Sequence, residues 1–174
     1  MRCFVACWPD DPTRDRLDRV ARAAAARFAA ARRLPPANLH LTLAFIGELP
    51  QPQAREVAAA LRDACDQPFD WCIDHVGRFG RARVLWAGGP EEPRLTALAS
   101  RVRERLRALR IPFDGKRFAA HVTLLRDVPA QPMAAASEVI EAIDPILWPI
   151  RAASLRVSER DAQGATRYRA LDPA

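Results

Sequence analysis

The chain reads as an α+β protein of two pseudo-symmetric lobes, each an antiparallel sheet with outer helices, with two matching strands facing a central cleft. Three observations lead there. The tetrapeptide His40-Leu41-Thr42-Leu43 returns as His121-Val122-Thr123-Leu124, so two of the three histidines share one setting. Around each copy the apolar pattern runs in the same order, strand, helix, His-x-Thr strand, helix, strand. No Gly- or Ser-rich linker separates the halves, which predicts a single rigid bilobal domain over residues 1–174.

Each element follows from its local pattern. Residues 2–8 set Cys3, Val5 and Cys7 against Phe4, Ala6 and Trp8, apolar on both sides as in a strand buried on both faces. Asp11 and Pro12 suit the N-cap and first turn of a helix. In it Leu17, Val20, Ala24 and Phe28 recur at helical spacing until Pro35-Pro36 forbids continuation. The first His-x-Thr strand spans about 39–46 and ends at Gly47. Val57, Leu61 and Cys65 mark a second helix, and residues 69–77 and 82–88 read as strands around the Gly77 to Gly80 turn region. Pro93 opens a helix with the apolar stripe Leu95, Leu98, Val102, Leu106 and Leu109, ended by Ile111-Pro112. The second His-x-Thr strand occupies about 119–126, a weaker helix roughly 131–143, and strands at 147–159 and 166–172 flank a turn at Gly164.

Composition narrows the class. At 174 residues and 49% hydrophobic, the chain can bury a sizeable core. No stretch is apolar enough for a membrane span, and no basic segment leads into an apolar run at the N-terminus. A cytoplasmic monomer without membrane contact is therefore expected. Cys3, Cys7, Cys65 and Cys72 form no C-x-x-C pair and fall in or beside apolar segments, so they read as reduced core thiols. The net charge of +6 favours a polyanionic partner. Lys116 is the sole lysine, and arginine suits phosphate because its planar fork binds two oxygens at once. The arginines at 101, 103, 105, 107 and 110 share one helix and read mainly as its solvated face.

The duplicated motif carries the chemistry. A strand places residues i and i+2 on one face, so each copy aims an imidazole and a hydroxyl one way and two apolar side chains the other. Histidine titrates near neutrality, so one imidazole can take a proton from water while a second, protonated, gives one to a leaving oxygen. Thr42 and Thr123 can donate to non-bridging phosphate oxygens as charge grows on them. No metal or cofactor is required, and none is expected.

The chain resembles the two-histidine (2H) phosphoesterase superfamily, and within it the RNA 2′,3′-cyclic phosphodiesterases, also called 2′-5′ RNA ligases. The likeness covers essentially the whole chain. It rests on Arg2-Cys3-Phe4-Val5-Ala6, on Asn38 through Gly47, on Gly77-Arg78-Phe79 with Arg83-Val84-Leu85-Trp86, and on Phe118 with His121 through Arg126. Ser158, Gly164 and Tyr168 resemble the closing hairpin, whereas Ala120 stands where the family usually has Pro. The resemblance implies metal-independent hydrolysis of RNA 2′,3′-cyclic phosphate ends to 2′-phosphomonoesters, with His40 as acid and His121 as base. It also implies reversible 2′-5′ ligation in some relatives. The motif symmetry by itself assigns neither role. No P-loop is present to suggest an ATP-dependent ligase.

Other residues carry expectations of their own. Arg126 lies five residues past His121, so strict alternation sends it to the opposite face, and a bulge or strand end is needed to bring it to a phosphate. Phe45 shares parity with Leu41 and Leu43 and is expected in the core, while Phe118 is the better candidate to stack on a base. His75 lacks a Thr partner and reads as a structural or strand-surface residue. The alternatives to an RNA-end phosphodiesterase are a 2H enzyme for 2′-5′ oligonucleotides or small cyclic nucleotides, and a catalytically inert RNA-binding module.

Overall fold

The computed structural model describes residues 1–129 and 138–171. Among them lie nine strands and three α-helices: β1 (Arg2–Cys7), α1 (Asp11–Arg27), β2 (Arg32–Arg33), β3 (Leu41–Glu48), α2 (Gln51–Ala60), β4 (Phe69–Phe79), β5 (Val84–Gly88), α3 (Pro93–Ala108), β6 (Val122–Arg126), β7 (Glu138–Ile150), β8 (Ser154–Arg160) and β9 (Thr166–Ala170). All strand pairs are antiparallel, in the order β7-β4-β5-β6-β3-β1-β8-β9, with β2 added beside β6.

The two halves form one continuous sheet, joined at a single residue pair, Leu41 opposite Val122. One half holds β3, β1, β8 and β9, the other β6, β5, β4 and β7. These are not the two halves of the sequence: the C-terminal hairpin completes the first, and β4 and β5 belong to the second. The helices cross the seam as well. α1, which follows β1, packs against β6 and β7, and α3, which precedes β6, packs on β3, while α2 lies on β8. A single apolar cluster therefore runs under both halves, from Val5 and Leu41 to Leu124 and Trp148. Burying one core across the seam ties the two His-x-Thr strands together far more strongly than their one ladder pair could.

Three local expectations need correction. Asp10, not Asp11, is the α1 N-cap: its side chain accepts from the Thr13 amide at 3.1 Å, and Asp11 becomes the first acidic residue of the helix, where the dipole favours it. The helix read over 131–143 lies partly outside the described residues, but from Glu138 onward the chain is the strand β7. Its tertiary partner overrides local propensity, since β4 pairs with it from Phe69 to Arg78. The strand read as 147–159 is likewise two, β7 ending at Ile150 and β8 starting at Ser154.

The arginines of α3 are not simply solvated. Arg105 donates to the carbonyls of Ala60 and Asp63, Arg101 to Ala64, and Arg103 to Lys116, with Arg107 lying 5.3 Å over the Phe113 ring. Arg101, Arg103 and Arg105 thus satisfy carbonyls that the end of α2 and the 113–116 segment leave without ladder partners. All four cysteines are free, with Cys3 and Cys7 buried. Among the described residues, no helix is long and apolar enough to cross a membrane.

Candidate active site

The seam sets the site. Leu41 and Val122 are fully buried and point into the core. In the antiparallel register their neighbours fall crosswise, His40 beside Thr123 and Thr42 beside His121, all four on the opposite face. Both imidazoles are tethered alike. His40 Nδ1 lies 2.7 Å from the Asn38 carbonyl and His121 Nδ1 2.8 Å from the Ala119 carbonyl. A carbonyl only accepts, so each ring donates its Nδ1–H, and each neutral imidazole keeps an unprotonated Nε2. Asn38 is itself buried and fixed, its amide donating to the Thr166 carbonyl of β9 at 2.7 Å.

Each motif then bulges at the same place. Along β1 and β3, Ala6 faces Thr42 but Val5 faces Ala44, so Leu43 is the extra residue. Along β5 and β6, Trp86 faces Thr123 but Leu85 faces Leu125, so Leu124 is extra. A bulge sends two consecutive side chains to one side, and both Leu43-Ala44 and Leu124-Leu125 are buried. Alternation reverses beyond it. Arg126 comes round to the histidine side, where its charge disfavours protonation of both His40 and His121. Phe45 comes round equally, 54% exposed and 6.1 Å from the Phe4 ring, so it is not a core residue.

The surroundings of the two histidines differ. His40 is enclosed by rings: Trp8 stacks on it (5.1 Å, 2°), Phe4 lies at 5.0 Å and Tyr168 meets it edge-on at 5.2 Å. Arg156 sits 4.2 Å over the Trp8 ring. Burial, helped by the charges of Arg126, His121 and Arg156 and opposed by the Asn38 hydrogen bond, lowers the pKa of His40 to about 4. His121 is also lowered, chiefly by burial, with Phe79 edge-on at 4.9 Å. None of Trp8, Phe79, Trp86 or Arg156 stood out as a site residue in the sequence. For Trp8 the signal was the alternation of Phe4, Ala6 and Trp8 along and just past β1, which burial on both faces of the strand concealed.

Phe118 is half-buried and stands apart from these ring contacts, in the wall of a groove of about 380 Å³ that also includes Gly89, Pro90, Thr96 and Ala120. His75 is half-buried on β4, its Nδ1 2.6 Å from Asp74. Among the described residues, no three His, Cys, Asp or Glu side chains converge as metal ligands would.

Fold and site together define an antiparallel α+β protein with two matching His-x-Thr units side by side on one face of its sheet. The chain belongs to the 2′-5′ RNA ligase superfamily, whose profile matches residues 9–162. An Archaeoglobus fulgidus protein named RNA 2′,3′-cyclic phosphodiesterase is 36% identical over 129 residues, 72% of each chain. An Escherichia coli protein of the same name is 37% identical over 92 residues, 52% of each chain. Crystalline E. coli LigT in complex with 3′-AMP superposes with a TM-score of 0.78 at 27% identity, covering 98% of this chain and 95% of that one.

Proposed function

We propose that this chain hydrolyses the 2′,3′-cyclic phosphate at an RNA end, with His40 and His121 as the acid–base pair. The observation that carries this reading is the crosswise seam, which sets two imidazoles of identical tautomer beside two threonines on one face. In this reading the phosphorus sits between the two Nε2 atoms. His121 takes a proton from water as the oxygen attacks phosphorus, the bond from phosphorus to O3′ breaks, and His40 gives O3′ a proton. The product is a 2′-phosphomonoester. Thr42 and Thr123 donate to the non-bridging oxygens, and the Arg126 fork answers the charge growing on them.

The free enzyme holds His40 neutral at pH 7, because its pKa lies near 4. An anionic substrate offsets the positive neighbours and raises that value. Once protonated, an imidazole of low intrinsic pKa gives its proton up readily. The exposed Phe45 offers a ring to the terminal base on the same face.

The test is a substrate panel in EDTA, comparing an oligonucleotide with a 2′,3′-cyclic end, 2′-5′-linked adenylates and free cyclic nucleotides, with phosphorus NMR locating the product phosphate. The expected result is a 2′-phosphate from the cyclic end at undiminished rate. Failure on the cyclic end with cleavage of the 2′-5′ adenylates would replace this substrate, and loss of activity in EDTA restored by zinc or manganese would replace the mechanism.

A further inference from the structure

The relation between the two halves sets Trp8 against Gly88. Cys7 lies opposite Leu41 and Ala87 opposite Val122, so the next residue on each strand shares a row with the histidine. Beside His40 that place holds the stacked Trp8 indole. Beside His121 it holds a glycine, and the row continues without a side chain to His75, the partner of Gly88 on β4.

Glycine is required there. A Cβ on Gly88 would come within 2.7 Å of the Trp86 ring, and one on Gly77 within 2.3 Å. The indole therefore lies along the sheet over both glycines, with Phe79 against it at 5.3 Å and His75 edge-on at 5.5 Å. Phe79 in turn meets His121 at 4.9 Å. An aromatic floor thus joins His121 to His75 across two strand spacings, about 10 Å.

A third irregularity turns His75 onto this floor. The register against β7 shifts between Ile73 and His75, and burial changes phase with it: Trp71 and Ile73 are buried before the shift, Val76 and Arg78 after it. Without the shift His75 would follow Ile73 into the core. Asp74 accepts from its Nδ1, which orients the ring and leaves Nε2 for another partner, and the side chain is 21% exposed.

We infer that His75 and the floor between it and His121 form an upstream subsite for the phosphodiester on the 5′ side of the terminal nucleoside. The inference rests on the function proposed above and adds to it the residues that hold the RNA chain upstream of its terminal nucleoside. The separation is too long for His75 to touch the phosphate held by His121 and suits the next phosphate along a single strand. Trp8 closes the equivalent direction on the other half, so the strand leaves the cleft over the His121 half. With Nδ1 held by Asp74, the Nε2 edge of His75 is the one that meets the upstream phosphodiester.

The experiment measures kcat/KM on adenosine 2′,3′-cyclic phosphate, on its 5′-phosphorylated form and on the dinucleotide ApA carrying a 2′,3′-cyclic end. The wild-type protein is expected to favour the last two by about tenfold or more. His75→Ala should abolish that preference while leaving adenosine 2′,3′-cyclic phosphate within about twofold. His75→Gln, which retains a donor and serves if the alanine variant unfolds, should recover part of it. A preference that survives in both variants, or equal losses on all three substrates, would overturn the subsite. So would equal wild-type efficiency on all three, with the hydrolytic function left standing. Hydrolysis of none would overturn both.

Discussion

Around His121 and around His40 the backbone does the same things and the side chains do different ones. Both imidazoles donate Nδ1–H to the carbonyl two residues back, both strands bulge one residue after the threonine, and both residues following the bulge are buried. Yet the position five residues past the histidine is Phe45 in one half and Arg126 in the other. The row-mate of the histidine is Trp8 in one and Gly88 in the other. The shared features set the direction in which each Nε2 points. The differences set how each ring is buried and which part of a substrate each half can hold.

The largest expected effect tests the shared part. His40→Ala and His121→Ala should each lower turnover by about 10²–10⁴-fold with the fold intact, and the double variant should fall far short of the product of the two losses. Retention of most activity by either single variant, folded by circular dichroism, would end the equivalence of the two units.

Next comes a difference in stability. The unfolded chain protonates His40 near its ordinary 6.5, the folded protein only near 4. Stability is therefore complete above about pH 6.5 and is lost as pH falls toward 4, by about 3 kcal/mol from this residue. Denaturant unfolding across that range should show a slope that His40→Ala reduces and that inorganic phosphate, which favours the charged ring, also reduces. A slope unchanged by the substitution would place the acid sensitivity elsewhere.

Arg126 and Phe45 sharpen the comparison at one structural position. Arg126→Lys keeps the charge but loses the fork, and should lower turnover and affinity together by about tenfold or more. Phe45→Ala should raise KM for a cyclic nucleotide by several-fold, with kcat near that of the parent, as loss of a base-stacking surface does. Matching kinetic signatures in the two variants would mean that the halves do not divide phosphate from base.

The smallest effect concerns Asn38, where the second half has Ala119. Asn38→Ala removes the hydrogen bond to Thr166 and should cost about 1 kcal/mol in thermal unfolding, with activity changed by no more than a few-fold because the carbonyl that holds His40 remains. A loss of turnover comparable to that of His40→Ala would instead make the Asn38 amide part of the chemistry.

What the sequence showed and what it hid have a common cause. Period-two alternation identified β1, β3 and β6, and the duplicated motif located the pair of histidines that the structure sets on one face. Strict alternation fails at a bulge, because one extra residue moves every later side chain to the other face. That is why Phe45 reads as core in the sequence and is exposed in the structure, and why Arg126 needed a bulge and has one. Nothing in Leu43 or Leu124 marks either as the extra residue. The crossing of α1 and α3 between halves is also a tertiary fact: their apolar stripes are plain at Leu17 and Leu98, but a stripe does not name the strand it covers.

The central claim is that the two His-x-Thr-Leu units form one phosphate site across a single-pair seam. Long-range nitrogen–proton NMR of the imidazoles during titration with inorganic phosphate tests it most directly. In the free protein at pH 7, both His40 and His121 should appear as neutral rings protonated at Nδ1, and phosphate should shift both Nε2 signals with one common dissociation constant. Opposite tautomers in the free protein, or a response confined to one histidine, would contradict it.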